Sequence, residues 1–230
     1  MLIRAKFAEE GILRYLSHLE LMNVFRRSFR RANIPMAYSR GYNPHPVFSV
    51  AWPLPVGMAG KGEYFDLEVI EEIDPVQFCE SVNAQLPAGL QIIKARNIDK
   101  ESSSLMAVIN TAVYDIRMEI AGRLKQEQFI EKFLSEERIM VIRKRRNKKD
   151  RELDIRSLIE RIGIIQPDLW RFVVRTGSRS NLRPEELLGA LVEYSELIKP
   201  VPIINIERDG LYIKKGELLY QPFDDEVIGS

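Results

Sequence analysis

The sequence has very few of the side chains that bind metals or form cross-links. Its 230 residues include one cysteine, Cys79, and two histidines, His18 and His45. One cysteine excludes a disulfide within the chain, and it excludes a zinc or iron–sulfur site made only of this chain's thiolates. The histidines and Cys79 stand at spacings that match no standard metal site. We therefore expect this chain to bind no metal and no cofactor.

Long apolar segments are missing as well. No segment approaches the roughly 20 apolar residues that a helix needs to cross a membrane. The first residues, MLIRAKFAEEG, lack the apolar core of a signal peptide. Hydrophobic residues still make up 45% of the chain, which favours an ordinary packed core. We expect a cytoplasmic protein without a membrane partner.

Two common catalytic patterns are also absent. No serine stands in a Gly-x-Ser-x-Gly turn, which exposes the catalytic serine of many hydrolases. The glycine-rich stretch 57–62 contains Lys61 but lacks the Ser or Thr that follows the lysine of a phosphate-binding P-loop. We interpret this stretch as a wide hairpin turn.

Basic residues are concentrated in two segments, although the formal net charge is only +1. Residues 1–50 contain eight Lys or Arg against three Glu. Residues 143–151, RKRRNKKDR, are basic at every position except Asn147 and Asp150. Such clusters are typical of surfaces that bind polyanions, and they also occur as plain solvated faces. The pI of about 7.8 is low for a dedicated nucleic-acid-binding domain.

The first basic segment includes a helix with a clear start. Ser17 and Glu20 have the spacing of a capping box, so the sequence predicts a helix that begins at Ser17 and ends near Asn33 and Pro35. Apolar residues at helical spacing predict a buried face: Met22, Phe25 and Phe29. His18 adjoins that face, which favours a structural role. The opposite face carries two i,i+4 rows of cations: Arg26 with Arg30, and Arg27 with Arg31.

The stretch after this helix, YSRGYNPHPVFSVAWPLPVG at 38–57, predicts a stiff loop that leads into a strand. Pro44 and Pro46 restrict the backbone around His45, and Gly41 permits a sharp turn before it. A loop of this kind presents Arg40, Tyr42 and His45 to a ligand more readily than it buries them in a core.

The first half of the chain predicts the order β-α-β-β-α-β, which is the ferredoxin-like arrangement of an antiparallel sheet with two helices on one face. Asn97–Ser104, NIDKESSS, is the most linker-like stretch. The second half predicts a similar plan, with a strand at 113–120, a helix at 123–134, a strand at 138–143, added helical spacing at 152–165, a strand at 170–175 and a helix from 183. We therefore predict an α+β fold with tandem ferredoxin-like domains at 1–97 and 111–230, joined by a linker at 98–110.

Two chemistries fit the exposed polar residues. The first is nucleic-acid binding, because phosphates attract Lys and Arg while unpaired bases stack on aromatic rings. Its candidate residues are Arg26, Arg27, Arg30, Arg31, Arg40, Tyr42, His45, Arg143, Lys144, Arg145, Arg146, Lys148 and Lys149. The second is metal-independent RNA cleavage, in which His45 and Tyr38, with a nearby cation, deprotonate a ribose 2′-hydroxyl and stabilise the resulting charge.

Four segments carry a resemblance to a known family: Tyr15-Leu16-Ser17-His18-Leu19, Gly41-Tyr42-Asn43-Pro44-His45-Pro46, Pro53-Leu54-Pro55-Val56-Gly57 and Glu63-Tyr64-Phe65-Asp66. In these segments the chain resembles the uncharacterised bacterial radical SAM-linked family, whose members occur beside, or fused to, a B12-binding radical SAM protein. Weaker similarity continues at Asp154-Ile155-Arg156 and Arg183-Pro184-Glu185. The resemblance implies an accessory of a radical SAM enzyme, often encoded near ribosome- and RNA-processing genes, and it supplies no catalytic residues.

We therefore expect a module without catalytic activity of its own that presents an RNA or ribonucleoprotein substrate, such as a ribosomal component, to a separate radical SAM enzyme. That partner is expected to carry the iron–sulfur cluster, SAM and cobalamin. Two alternatives stay open. One is the endoribonuclease, whose predicted layout resembles that of CRISPR repeat-processing enzymes without their motif; the other is a protein–protein adaptor that binds no RNA.

Overall fold

The computed structural model describes residues 1–120, 125–144, 149–178, 180–195, 198–199 and 205–228. The fold is mixed α and β, with a large, mostly antiparallel sheet and six α-helices among those residues. The chain divides into two compact units, and we describe each by itself. Unit 1 contains Met1–Asn110 and Arg208–Ser230, and unit 2 contains Thr111–Glu207.

Unit 1 has six strands and four helices. The strands are β1 (Leu2–Glu9), β2 (Phe48–Val50), β3 (Ala59–Glu68), β4 (Leu90–Ile98), β12 (Ile206–Lys215, from Arg208 on) and β13 (Leu218–Tyr220). The helices are α1 (His18–Arg31), α2 (Pro75–Asn83), the short α3 (Leu105–Val108) and the short α6 (Asp225–Ile228). A 3-10 turn, Gly11–Tyr15, links β1 to α1.

The sheet of unit 1 has the order β4-β1-β3-β12, with β2 also paired to β3 and β13 to β12. β1 is antiparallel to both β3 and β4, and β2 is antiparallel to β3. The predicted start of α1 is confirmed, because Ser17 and Glu20 form both hydrogen bonds of a capping box. α1 then buries Met22, Phe25 and Phe29 against the sheet, as its apolar spacing predicts.

An aromatic cluster forms the core between α1 and the sheet. The rings of Phe25 and Phe29 lie 5.7 and 5.3 Å from that of Phe48 on β2, and both also contact Phe65 on β3. The short edge strand β2 is therefore held beneath α1 by ring packing. This packing fixes the base of the loop that joins α1 to β2.

Unit 2 contains β5 (Thr111–Arg117), β6 (Glu119–Ile120), α4 (Gln126–Leu134), β7 (Met140–Arg143), β8 (Arg151–Asp154), β9 (Ile159–Gln166), β10 (Leu169–Arg175), α5 (Pro184–Tyr194) and β11 (Ile198–Lys199). β10 lies between β5 and β9 and is antiparallel to both. β7 and β8 form a separate hairpin. The core of this unit includes Phe133, Trp170 and Phe172, which are fully buried.

One predicted helix in this unit is wrong. Residues 152–165 show helical spacing, but the structure places them in β8, a 3-10 turn at Arg156–Leu158, and β9. This segment is rich in isoleucine, whose branched side chain favours strands, and Ile159 and Ile162 are buried where β9 pairs with β10. Pairing with a neighbouring strand therefore outweighs the local spacing.

The predicted repeat of the β-α-β-β-α-β order in the second half is not confirmed. Unit 2 instead orders its elements as two strands, α4, four strands, α5 and a last strand, among the residues described. The sequence also predicts a single domain over 111–230, whereas Arg208–Ser230 groups with unit 1. Over the ranges given above, each helix is too short or too polar to cross a membrane.

Candidate nucleic-acid interface

The outer face of α1 carries four arginines. Arg27, Arg30 and Arg31 are exposed, and Arg26 is half-buried. Arg26 and Arg27 make only long hydrogen bonds to Asn23, at 3.4 and 3.3 Å. Within the described part of the chain, none of the four forms an ion pair with a carboxylate. Their charges are therefore available to an anionic ligand.

The sequence around these arginines strengthens the local positive charge. Residues 21–62 contain five arginines and Lys61, but no Asp or Glu stands between Glu20 and Glu63. This segment covers most of α1, the following loop and β2. An uninterrupted cationic segment attracts polyanions even when the total charge of the chain is close to zero.

The loop between α1 and β2 is a hairpin whose base is held by backbone contacts. Tyr38 and Pro46 form an isolated antiparallel bridge, and the Ser39 amide donates to the His45 carbonyl at 2.8 Å. Gly41 turns the chain with a φ of +130°, a backbone conformation that residues other than glycine rarely adopt. We call residues 38–46 the tip hairpin.

His45 is oriented by Ser39 across the tip hairpin. The Ser39 hydroxyl lies 3.0 Å from His45 Nδ1, and it also accepts a hydrogen bond from the His45 amide at 3.1 Å. Nδ1 lies 3.4 Å from the Asn43 carbonyl as well. No hydrogen bond to Nε2 is present among the described residues, so Nε2 is the ring nitrogen left for a ligand.

The other candidates in the tip hairpin are all at the surface. Arg40, Tyr42 and His45 are exposed, and so is Tyr38. The four candidate residues of this loop therefore lie exposed on one hairpin. Cations beside an aromatic ring can bind a nucleotide through its phosphate and its base together.

The second basic segment has a different environment. Arg143, at the end of β7, donates to both Glu186 carboxylate oxygens at 2.6 Å and to the Asn181 carbonyl. Its guanidinium therefore ties the β7–β8 hairpin to α5 and its preceding loop. Lys144 and Lys149 are exposed. The other three candidates of this segment lie outside the described residues: Arg145, Arg146 and Lys148.

A buried polar cluster in unit 1 has no counterpart among the sequence candidates. Arg208 donates to both oxygens of Glu63, at 2.7 and 2.5 Å, and to the Trp52 carbonyl. Burial raises the pKa of the nearby Glu9 carboxyl to about 7; the charge of Glu63 adds to the rise and that of Arg208 opposes it. Glu9 Oε2 and Trp52 Nε1 are buried, and neither atom has a hydrogen-bond partner among the described residues.

The described residues bring together no group of three or more side chains that could hold a metal ion. Cys79 packs at the edge of the unit 1 core, where burial raises the pKa of its thiol. His18 is half-buried in the first turn of α1. These two residues and His45 lie on α2, on α1 and in the tip hairpin.

Comparison with known families places these features in context. A family model described as an uncharacterized protein conserved in bacteria, DUF2344, matches residues 2–184. The chain belongs to this family. The DUF2344 match includes all of α1, the tip hairpin and the β7–β8 hairpin, and it ends at the first residue of α5. No curated protein matches the chain.

Proposed function

We propose that this DUF2344 protein is an RNA-binding accessory module that presents an RNA or ribonucleoprotein substrate to a separate radical SAM enzyme in the cytoplasm. The observation that carries the RNA part is the cationic segment 21–62, which lacks any acidic residue and has exposed arginines that form no ion pair with the described residues. Phosphates are the ligands that such a surface attracts most strongly. The exposed aromatic ring of Tyr42 adds a stacking surface for a base.

An exposed apolar surface supports the protein-partner part of the proposal. Ile12, Tyr15, Leu19 and Val56 are all exposed, and they lie on the 3-10 turn, the first turn of α1 and the 53–57 segment. Gly57 donates its amide to the Arg14 carbonyl at 2.7 Å, so the 53–57 segment lies against the 3-10 turn. Two of the segments that carry the radical SAM-linked resemblance, 15–19 and 53–57, contribute to this surface. The iron–sulfur cluster, SAM and cobalamin belong to the partner in this proposal.

We also propose that the first part of unit 1 is a ferredoxin-like domain. Its strand order β4-β1-β3-β2 and its helices α1 and α2 support this assignment. α1 packs its apolar face on the sheet and leaves its arginines at the surface, and residues 32–37 connect its end to the tip hairpin.

The RNA proposal predicts a specific salt dependence for a double variant, Arg30→Gln with Arg31→Gln. Both residues are exposed and without ion pairs in the described part of the chain. If each contacts one phosphate of a single strand, the slope of log affinity against log salt should fall by about 1.4, because each such contact contributes about 0.7. Fluorescence anisotropy with a labelled single-stranded RNA across a salt series measures this slope.

A matched control removes two exposed charges elsewhere. Arg138→Gln with Arg161→Gln changes the net charge equally in unit 2, so its slope should equal that of the unmodified protein. Both double variants should keep their stability within about 0.5 kcal/mol per substitution, as surface changes usually do. Equal slopes for all three proteins would refute the phosphate contacts of α1. If Arg30→Gln with Arg31→Gln instead weakens only the binding of the radical SAM partner, the result favours a protein–protein adaptor that binds no RNA.

The free Nε2 of His45 keeps the endoribonuclease as a second candidate function. A histidine that is oriented at Nδ1 and open at Nε2 has the arrangement of a general base. Under this alternative, His45→Ala should abolish RNA cleavage and leave RNA affinity nearly unchanged, since the imidazole acts on the transition state. Absence of cleavage by the unmodified protein, with chelator and total cellular RNA, would remove the alternative.

A further inference from the structure

Among the large hydrophobic residues of unit 1 that the structure describes, Tyr42 is the most exposed. Its exposure is 105% of the reference value, so the ring stands clear of the protein surface on all sides. Exposed apolar side chains are common, and alone they require no explanation. Tyr42 differs because it lies in a braced hairpin that also contains two exposed groups able to bind anions, Arg40 and His45.

The tip hairpin holds this ring on a preorganised backbone. Above the Tyr38–Pro46 bridge, the Ser39 hydroxyl links both arms through the His45 amide and ring. Below it, the Val47 amide donates to the Ala37 carbonyl at 2.9 Å. Pro44 and Pro46 further restrict the second arm. A ligand that binds this loop therefore loses less free energy to ordering the backbone than one that binds a free loop.

The groups that share the tip hairpin with this ring select the class of ligand. Arg40 can donate to a phosphate oxygen, and so can His45 when Nε2 carries the proton, as it does if Nδ1 accepts from the Ser39 hydroxyl; no carboxylate stands within the loop. A flat aromatic face with both sides open offers stacking to a base. In a duplex the faces of each base are covered by its neighbours, so a ring on a projecting loop can stack only on an unpaired base.

We infer that the tip hairpin is a binding site for one unpaired nucleotide, with the base stacked on Tyr42 and an adjoining phosphate contacted by Arg40 and His45 Nε2. The site rests on the proposed RNA-binding function and adds to it a preference for single-stranded over paired RNA. The arginines of α1 attract the phosphates of single-stranded and paired RNA alike, whereas Tyr42 strengthens the binding of single-stranded RNA alone.

The test uses the full chain and a single-stranded 12-nucleotide RNA with one 2-aminopurine, alone or annealed to its complement. Tyr42→Leu removes the ring and Tyr42→Phe keeps it, and both changes lie at the surface. Tyr42→Leu should weaken single-strand binding about tenfold, because base stacking is worth about 1–3 kcal/mol per base. Tyr42→Phe should bind like the unmodified protein, and only the proteins that keep the ring should quench 2-aminopurine fluorescence.

Two comparisons separate this site from general RNA binding. Duplex affinity should be the same for Tyr42→Leu and the unmodified protein. Ile70→Ala, which truncates another exposed large apolar side chain of unit 1, should leave single-strand affinity unchanged. Salt-dependent RNA binding that is insensitive to Tyr42→Leu overturns the nucleotide site and leaves the proposed function intact. No RNA binding at all overturns both, and a Tyr42→Leu effect limited to capture of a protein partner assigns the hairpin to protein docking.

Discussion

Asp66→Ala should lower the free energy of unfolding by about 3–5 kcal/mol, because it leaves the buried Arg4 guanidinium without a counter-ion. Arg4 Nε and Nη2 donate to the two Asp66 carboxylate oxygens at 2.8 and 2.9 Å. The side chains of Arg4 and Asp66 are only 3% and 8% exposed. Arg4 also donates to the Pro222 and Ser103 carbonyls, so it fastens two chain segments to the sheet. Urea unfolding followed by circular dichroism measures the loss.

An exposed ion pair in the same unit gives a matched control. The Arg96 and Asp225 side chains form an ion pair while 41% and 82% exposed. Asp225→Ala should cost at most about 1 kcal/mol, because solvent screens exposed pairs. Arg4→Met combined with Asp66→Leu should cost less than Asp66→Ala alone, since the double variant leaves no unpaired buried charge. Equal losses for Asp66→Ala and Asp225→Ala would show that burial does not set the strength of the Arg4–Asp66 pair.

Elements encoded by nearby residues could be predicted from the sequence. The start of α1 depends on Ser17 and Glu20, three positions apart, and both predicted hydrogen bonds are present. The start of α2 depends on Asp74, whose carboxylate accepts from the amides of Val76 and Gln77. Capping needs only groups within one turn, so the local sequence is sufficient to identify it.

Elements that depend on distant partners could not be predicted in this way. The isoleucines of 155–162 fit a helix by spacing, but β10 pairs with the chain from Ile159 on and holds it as a strand. Arg143 stands in a basic run, and nothing near it in sequence indicates Glu186, which binds its guanidinium. A sequence shows a charge directly, whereas the partner that neutralises it becomes visible only when the chain folds.

The buried cluster of Glu9, Glu63 and Arg208 illustrates both cases. The alternation Ile3, Ala5, Phe7, Glu9 along β1 places Glu9 on the face that α1 covers, and this signal is present in the sequence. Glu63 lies opposite Phe7 on the same face of β3. Arg208, however, comes from β12, at the far end of the chain. The face of the sheet on which Glu9 lies therefore follows from the alternation, while its burial beside this ion pair does not.

Glu9→Gln should stabilise the protein at high pH and have little effect at low pH. The pKa of Glu9 is about 7 in the folded protein against 4.5 for an unperturbed side chain, mainly because of burial and then because of the charge of Glu63. The folded state therefore holds the proton more tightly than the unfolded state. The resulting stabilisation is complete below about pH 4.5 and is lost as the pH rises through 7, where Glu9 ionises inside the fold.

The variant cannot ionise, so the difference in unfolding free energy between Glu9→Gln and the unmodified protein should grow between about pH 5 and 8 and then level off. A rise of the pKa from 4.5 to about 7 corresponds to roughly 3.4 kcal/mol, at about 1.4 kcal/mol per pKa unit. We expect a smaller plateau of about 2 kcal/mol, because solvent screens part of the effect. Glu10→Gln, which removes a carboxylate from the neighbouring, exposed position, is the control for the loss of one negative charge. A difference for Glu9→Gln that does not change between pH 5 and 8 would mean that folding does not raise the pKa of Glu9, because Arg208 offsets the effect of burial.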